Sequence, residues 1–307
     1  MVSVIVPNYC HARFLDQRIQ SILNQSYHDF ELIILDDCSP DDGASRAVIE
    51  KYRDNPHVSQ IVYNDVNSGS PFKQWDKGIN MAKGELIWIA ESDDYCESTF
   101  LETLVNEFKR DENLTLAYTL VKRVDAEGKP IRELCIPHFG AIRLSGKEYI
   151  KKYMTLDNHC RNASACVFSK AAYEMTDKQY MTYKAGGDML FWIKIAEHGN
   201  VVIVNNKLSN YRIHSQKLTP KSSRYGINMA EYKKTYDYIL RTQKISRRRQ
   251  ELMKVNVLYK LKHDNYDNEN IRKELLAIWN LPDKINYISL YVLMICRSLQ
   301  ARLGLYI

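Results

Sequence analysis

Three carboxylates fall within four residues at Glu91-Ser92-Asp93-Asp94, and two more are adjacent at Asp36-Asp37. Neighbouring carboxylates repel, so keeping them ionised costs free energy unless hydroxyls, an N–H or a cation offsets the charge. Oxygen donors of this kind suit Mg²⁺ or Mn²⁺. Mg²⁺ takes only one or two protein carboxylates and leaves its other positions to water and phosphate oxygens, so such a site expects a phosphorylated ligand. Each cluster also has a structural reading. Cys38-Ser39-Pro40-Asp41-Asp42-Gly43 has the composition of a turn and helix cap, and Glu91 to Asp94 would suit the N-terminus of a helix carrying Phe100, Leu101, Leu104 and Phe108. Further along, Asp188 precedes Leu190, Phe191, Ile193 and Ile195, where it can be an N-cap, a general base, or both. In Tyr211-Arg212-Ile213-His214, Arg212 can donate to phosphate oxygens and His214 can reach a diphosphate or a metal; the alternative is a surface strand end.

These groups need elements to position them. Val2 to Val6, Glu31 to Leu35, Val58 to Tyr63 and Glu85 to Ala90 read as buried strands. Between them lie helical patterns at Leu15 to Leu23, Gly43 to Tyr52 and Phe72 to Met81. Strands alternating with helical patterns indicate a parallel sheet covered on both faces. Pro7-Asn8-Tyr9, Asp36-Asp37 and Glu91 to Asp94 each follow the carboxyl end of such a strand, so all three face one crevice. Weaker strands are expected at Leu114–Val121, Ala165–Phe168 and Val201–Val204, and from Ser223 onward the pattern is helical.

Composition narrows the class. Of 307 residues 45% are hydrophobic, mean hydropathy is −0.41, and no apolar run approaches the roughly 18 residues of a membrane span. The opening MVSVIVP has neither a basic n-region nor a cleavage site and reads as a strand. The seven cysteines are odd in number, scattered and never spaced CxxC, which argues against a disulfide framework or structural zinc and fits a reducing cytoplasm. Residues 1–219 hold 26 Lys and Arg against 29 Asp and Glu; residues 220–307 hold 17 against 8. The basic excess thus belongs to the tail. With its tyrosines and the apolar stretch Ile285 to Cys296, it reads as a surface for an anionic membrane rather than for nucleic acid. Arg247-Arg248-Arg249 reads as a solvated helix face, and Asn162-Ala163-Ser164 as a chance glycosylation sequon.

The segment from Val2 to Gly43 and GINMAKGELIWIAESDDY resemble the first two blocks of the family-2 glycosyltransferases, and AGGDMLFWIKIAEHGNVVIV and LSNYRIHSQKLT resemble their acceptor-side acidic motif and Tyr-Arg-x-His segment. The resemblance covers residues 1–216. It implies an α/β fold of the GT-A type, a Rossmann-like, mostly parallel nucleotide-binding sheet covered by helices, with a C-terminal helical extension. The division is a domain at 1–219, with a nucleotide-sugar half (1–110) and an acceptor half (111–219), followed by a basic helical region at 220–307. The resemblance further implies that Pro7, Tyr9, Asp36, Asp37 and Ser92 serve the nucleotide, with Asp37 accepting from its base. Asp93 holds a divalent cation, Mn²⁺ or Mg²⁺, with His214 joining it. Glu91, Asp94 and Arg212 support, and Asp188 is the general base. Gly187 stands where a Glu commonly precedes the base, and Lys73-Gln74-Trp75-Asp76 replaces a more usual Arg-Asn pair.

The chemistry agrees with these residue types. Displacing a nucleoside diphosphate from an anomeric carbon needs a cation on the leaving phosphates and a base for the incoming hydroxyl. One catalytic carboxylate then suffices, and in-line attack inverts the centre, unlike glycoside hydrolysis with its two flanking carboxylates. The expected activity is transfer of a sugar, UDP-linked on resemblance, to a glycan or lipid-linked glycan at the inner face of a cytoplasmic membrane. A nucleotidyltransferase would open with a Gly-rich phosphate loop, which PNYCHARF lacks. A catalytically silent nucleotide-sugar binding protein is the other alternative, and it rests on Gly187. No GxGxxG follows the first strand, which disfavours a dinucleotide-dependent oxidoreductase.

Overall fold

The computed structural model describes residues 1–131, 140–215 and 222–282, together with 288, 291, 292 and 295. Positions 216–219 of the fourth block and most of the apolar stretch 285–296 lie outside the described residues.

Strand β1 (Val2–Asn8) pairs in parallel with β2 (Phe30–Asp36) on one side and β4 (Leu86–Ile89) on the other, and β2 pairs in parallel with β3 (Val58–Tyr63). These strands are continuously apolar because both sheet faces are covered. Val2, Val4 and Val6 pack with Leu15, Ile19 and Ile22 of α1 (Ala12–Leu23) and with Phe100 and Leu104 of α4 (Phe100–Arg110). Ile49 of α2 (Ala44–Glu50) joins that cluster. On the opposite face Ile5, Ile33 and Ile87 meet Phe72, Trp75 and Ile79 of α3 (Pro71–Met81). At about 1.5–3 kcal/mol for each fully buried large apolar side chain, these two layers dominate the stability of the parallel part of the sheet.

Among the described residues the sheet has nine strands. Its order runs β3-β2-β1-β4-β8-β6-β9-β5, with β5 (Tyr95–Cys96), β6 (Leu114–Val124), β8 (Cys166–Ser169) and β9 (Asn200–Arg212), while β7 (Ala141–Ser145) pairs with β9. β8 runs antiparallel between β4 and β6, and β6 and β9 are parallel again. The three weak strands are thus the cores of β6, β8 and β9. β9 extends further than its apolar run, because β6 continues beside it and pairs Val124 with Arg212. Tyr211 and Arg212 therefore end a strand rather than follow one. β5 and β7 carry no sequence signal of their own.

Helix α5 (Gly146–Tyr149) runs on into a turn of π-helix (Ile150–Met154), and α6 (Lys170–Glu174) follows β8. α7 (Gly187–Ala196) is apolar on nearly every side and sits in the core. α8 (Ile227–Thr242), α9 (Arg247–His263) and α10 (Glu269–Ile278) bury Met229, Ile239, Val257, Leu261 and Leu275 in the same cluster as Leu190 and Phe191 of α7. Arg249 is not merely solvated: its Nε donates to Thr155 Oγ1 at 2.7 Å.

Candidate active site

β1 and β2 end in register, Asn8 opposite Asp36, and two residues further on Cys10 (φ 57°) and Cys38 (φ 58°) both turn into the left-handed region. Asn8 Nδ2 donates to Asp36 Oδ1 at 2.7 Å, as does Ser39 Oγ at 2.7 Å, and Ser39 Oγ in turn accepts the Cys10 N–H at 2.9 Å. Asp36 therefore laces the two strand ends together. Asp37 collects Asn64 Nδ2 (2.6 Å), the Ser68 N–H (2.9 Å) and Gln74 Nε2 (2.8 Å) on Oδ1, and Ser68 Oγ (2.7 Å) on Oδ2. Pro7 is buried in β1 beyond its pairing with β4, where the missing N–H leaves no ladder bond unmade on that side. Tyr9 is exposed at the tip.

The acidic turn after β4 is buried and braced from several directions. Glu91 accepts the Trp75 indole N–H at 2.8 Å, which gives the departure at Lys73-Gln74-Trp75-Asp76 a structural role beside Gln74 on Asp37. Asp94 Oδ1 accepts the backbone N–H of Arg212 (2.9 Å), and its Oδ2 accepts Asn162 Nδ2 (2.9 Å) and Ser164 Oγ (2.8 Å). The Arg212 guanidinium donates to the carbonyls of Asp93 (2.8 Å) and Ala126 (2.8 Å) and to Gln17 Oε1 (2.6 Å), over the ring of Phe14. It props the turn from beneath.

Asp93 Oδ2 lies 2.9 Å from His214 Nε2, and His11 Nδ1 lies 2.9 Å from Ser92 Oγ. One ligand atom from each of His11, Asp93 and His214 falls within 4.8 Å of the others. His214 Nδ1 is buried with no hydrogen-bond partner among the described residues. This donor set fits a divalent cation. His11 is the residue that sequence reasoning missed, since a lone histidine at the start of a helix carries no spacing signal.

Asp188 stands in the first turn of α7. The N-cap is Gly186, not Asp188: the helix begins two residues earlier, at Gly187, where no larger side chain fits, since a Cβ there would lie 2.6 Å from the Tyr180 carbonyl and 2.8 Å from the Phe72 ring. Asp188 Oδ2 accepts Asn158 Nδ2 at 2.8 Å and Oδ1 accepts the Met189 N–H at 2.8 Å. Burial nevertheless raises its carboxyl to about 6, against the lowering effect of those bonds. Residues 158–164 form a strap between the two carboxylate stations. Asn158 holds Asp188, Asn162 and Ser164 hold Asp94, and Ser164 Oγ accepts the Glu91 N–H at 3.1 Å.

Residues 3–176 match the model of glycosyl transferase family 2. The chain belongs to that family. It is 25% identical over 221 residues to the chondroitin synthase of Escherichia coli, covering 72% of this chain and 30% of that protein. It is 35% identical over 130 residues to the poly(ribitol-phosphate) beta-N-acetylglucosaminyltransferase TarP of Staphylococcus aureus, covering 42% and 38%. The chain thus spans well under half the length of these curated relatives. The crystal structure of S. aureus TarS 1–349 in complex with UDP-GlcNAc superposes with a TM-score of 0.57 at 17% identity, covering 91% of this chain and 71% of that one. That likeness bears out the α/β fold of the GT-A type with a helical C-terminal region. The 158–164 strap bonds Asp188 at one end and Asp94, next to Asp93, at the other. No helix among the described residues is long and apolar enough to cross a membrane.

Proposed function

We propose that this glycosyltransferase inverts the anomeric centre of a UDP-sugar as it passes the sugar to a hydroxyl of a growing bacterial surface glycan. The observation that carries the reading is the pair of carboxylate stations, a buried Asp93 beside His214 and near His11, and an Asp188 whose carboxyl is raised by burial, with one strap bonding Asp188 at one end and Asp94 at the other. Asp188 accepts the proton of the acceptor hydroxyl, whose oxygen forms the new bond to the anomeric carbon while the bond to the phosphate oxygen breaks. The nucleoside diphosphate leaves with the electron pair. Asp93, His11 and His214 would hold a divalent cation, which supplies positive charge against the leaving diphosphate. Two imidazoles and one carboxylate suit a first-row transition ion better than Mg²⁺, which makes Mn²⁺ the expected one. Pro7, Tyr9, Asp36, Asp37 and Ser92 surround the nucleotide, with Asp37 toward its base. The UDP and UDP-GlcNAc complexes of TarS support a UDP donor.

Asp188→Asn should lower kcat about 10³-fold, within the usual range for a general base, while UDP binding persists. In the wild-type enzyme kcat should fall as pH drops through about 6. Retained turnover in Asp188→Asn removes the assignment. Asp93→Ala should weaken Mn²⁺-dependent UDP binding, and an unchanged Kd by calorimetry would count against the cation site. The basic C-terminal region, where Ile288, Tyr291, Val292 and Ile295 stand exposed at helical spacing, would hold the enzyme at an anionic membrane. Loss of binding to anionic liposomes on deleting residues 280–307 tests this, and unaltered partitioning rejects it.

A further inference from the structure

We propose that Glu231, on α8 in the C-terminal region, is a positioning residue for Asp188, an inference that rests on the reading of Asp188 as the base. Three consecutive N–H groups directly before α7 donate to its carboxylate: Lys184 at 2.6 Å to Oε1, and Ala185 at 2.9 Å and Gly186 at 2.7 Å to Oε2. Glu231 is only 6% exposed, so protein N–H groups rather than water offset its charge. Charge-assisted bonds of this kind are about twice as strong as neutral ones, and three of them fix the entry of the chain into the turn that carries Asp188. The neighbouring Tyr232 backs the same loop, for its ring lies 3.2 Å from where a Cβ on Gly186 would be.

The opposite approach to Asp188 is anchored on the next helix, α9. Arg249 Nε donates to Thr155 Oγ1 (2.7 Å), Asn256 Nδ2 to the Leu156 carbonyl (2.5 Å) and Lys260 Nζ to Asp157 (2.9 Å), in the three residues before Asn158, which bonds the Asp188 carboxylate. The charge that Gly187 cannot supply from within α7 thus arrives from α8. Asp188 faces Asn158 and the Cys160 thiol from the strap, and Glu231 and Tyr232 from α8. Asp157 and Arg161 lie around Tyr232, and Lys260 pairs with Asp157.

The test is Glu231→Gln in the full chain. The misplaced base should cost about 10- to 100-fold in kcat with donor KM unchanged. Removing a negative charge that raises the Asp188 carboxyl should also move the acid limb of kcat to lower pH. Glu231→Asp, which keeps the charge, should leave the limb in place. Packing alone would lower Tm and move neither the limb nor the ratio of kcat to KM. Wild-type kcat and an unmoved limb in Glu231→Gln overturn the proposal. Should that variant not fold, hydrogen exchange on the wild-type enzyme decides: slow exchange of the 184–186 amides supports the anchor, and exchange at solvent rates overturns it. Asp188→Asn is assayed in parallel. Turnover there removes the base and the positioning role together, whereas loss there beside wild-type behaviour in Glu231→Gln removes the role of Glu231 alone.

Discussion

Asp93 lies in a four-residue turn braced by Trp75, by the end of β9 and by one end of the strap, whereas Asp188 meets the other end of that strap, a glycine pair and the approach held by helices from the last quarter of the chain. On the first side one short turn carries all the carboxylates. The parallel strands deliver two acidic ends to one edge, and Asp36, Asp37 and Asp94 take hydrogen bonds from Asn8, Gln74 and the Arg212 N–H there. On the second side no single element suffices, and the raised proton affinity of Asp188 reflects how many of them crowd it. Asp37 collects four donors, whereas at Asp188 burial outweighs the bonds from Asn158 and the Met189 N–H. The contrast predicts that damage on the first side registers as stability and damage on the second as rate.

Arg212→Ala should break the first side most severely. It strands two carbonyls and Gln17 and empties the space over Phe14, for a loss of about 3–4 kcal/mol measured by denaturant unfolding. Stability within error of wild type would mean that the acidic turn stands without its prop. Gly187→Ala should do the reverse. A methyl against the Tyr180 carbonyl costs about 1–3 kcal/mol of overpacking and, by shifting the first turn of α7, should depress kcat far more than donor affinity. A fall in affinity matching the fall in kcat would erase the distinction between the sides.

The pH-dependent effect is the sharpest. Because burial raises the Asp188 carboxyl to about 6 in the folded chain, above the ordinary 3.8, the folded chain binds more protons across that window, and stability declines as pH rises through it. Asp188→Asn removes the titration, so at pH 8 it should be more stable than wild type by up to about 3 kcal/mol, the gap closing toward pH 4. Thermal melts at the two pH values measure this, and a destabilised variant at pH 8 would show that the carboxylate is not under strain.

What the sequence made legible follows the same divide. The parallel half of the sheet and the residues at its strand ends are legible because each sits within a few positions of an apolar run with a clear period. The surroundings of Asp188 are not. Their contacts join residues 155–164, 184–188 and 231–260, and such long-range partners leave no local pattern. Glu231 looked like one charge among many in a basic tail, and the tail itself looked unrelated to the reaction. The far end of β9 is hidden for a similar reason: apart from Leu208, residues 207–212 carry polar groups, and their pairing with β6 and β5 makes them a strand.

Asn162-Ala163-Ser164 offers a practical consequence. The side-chain nitrogen that a glycosylating host would modify is buried and already donates to Asp94, so a glycan there cannot coexist with the folded acidic turn. In a eukaryotic secretory pathway, sugar addition at Asn162 and folding would compete for the same amide, and the molecules that escaped modification would be the ones that fold. An enzyme built to attach sugars would be inactivated by receiving one, and a host without that modification is the appropriate source of the protein.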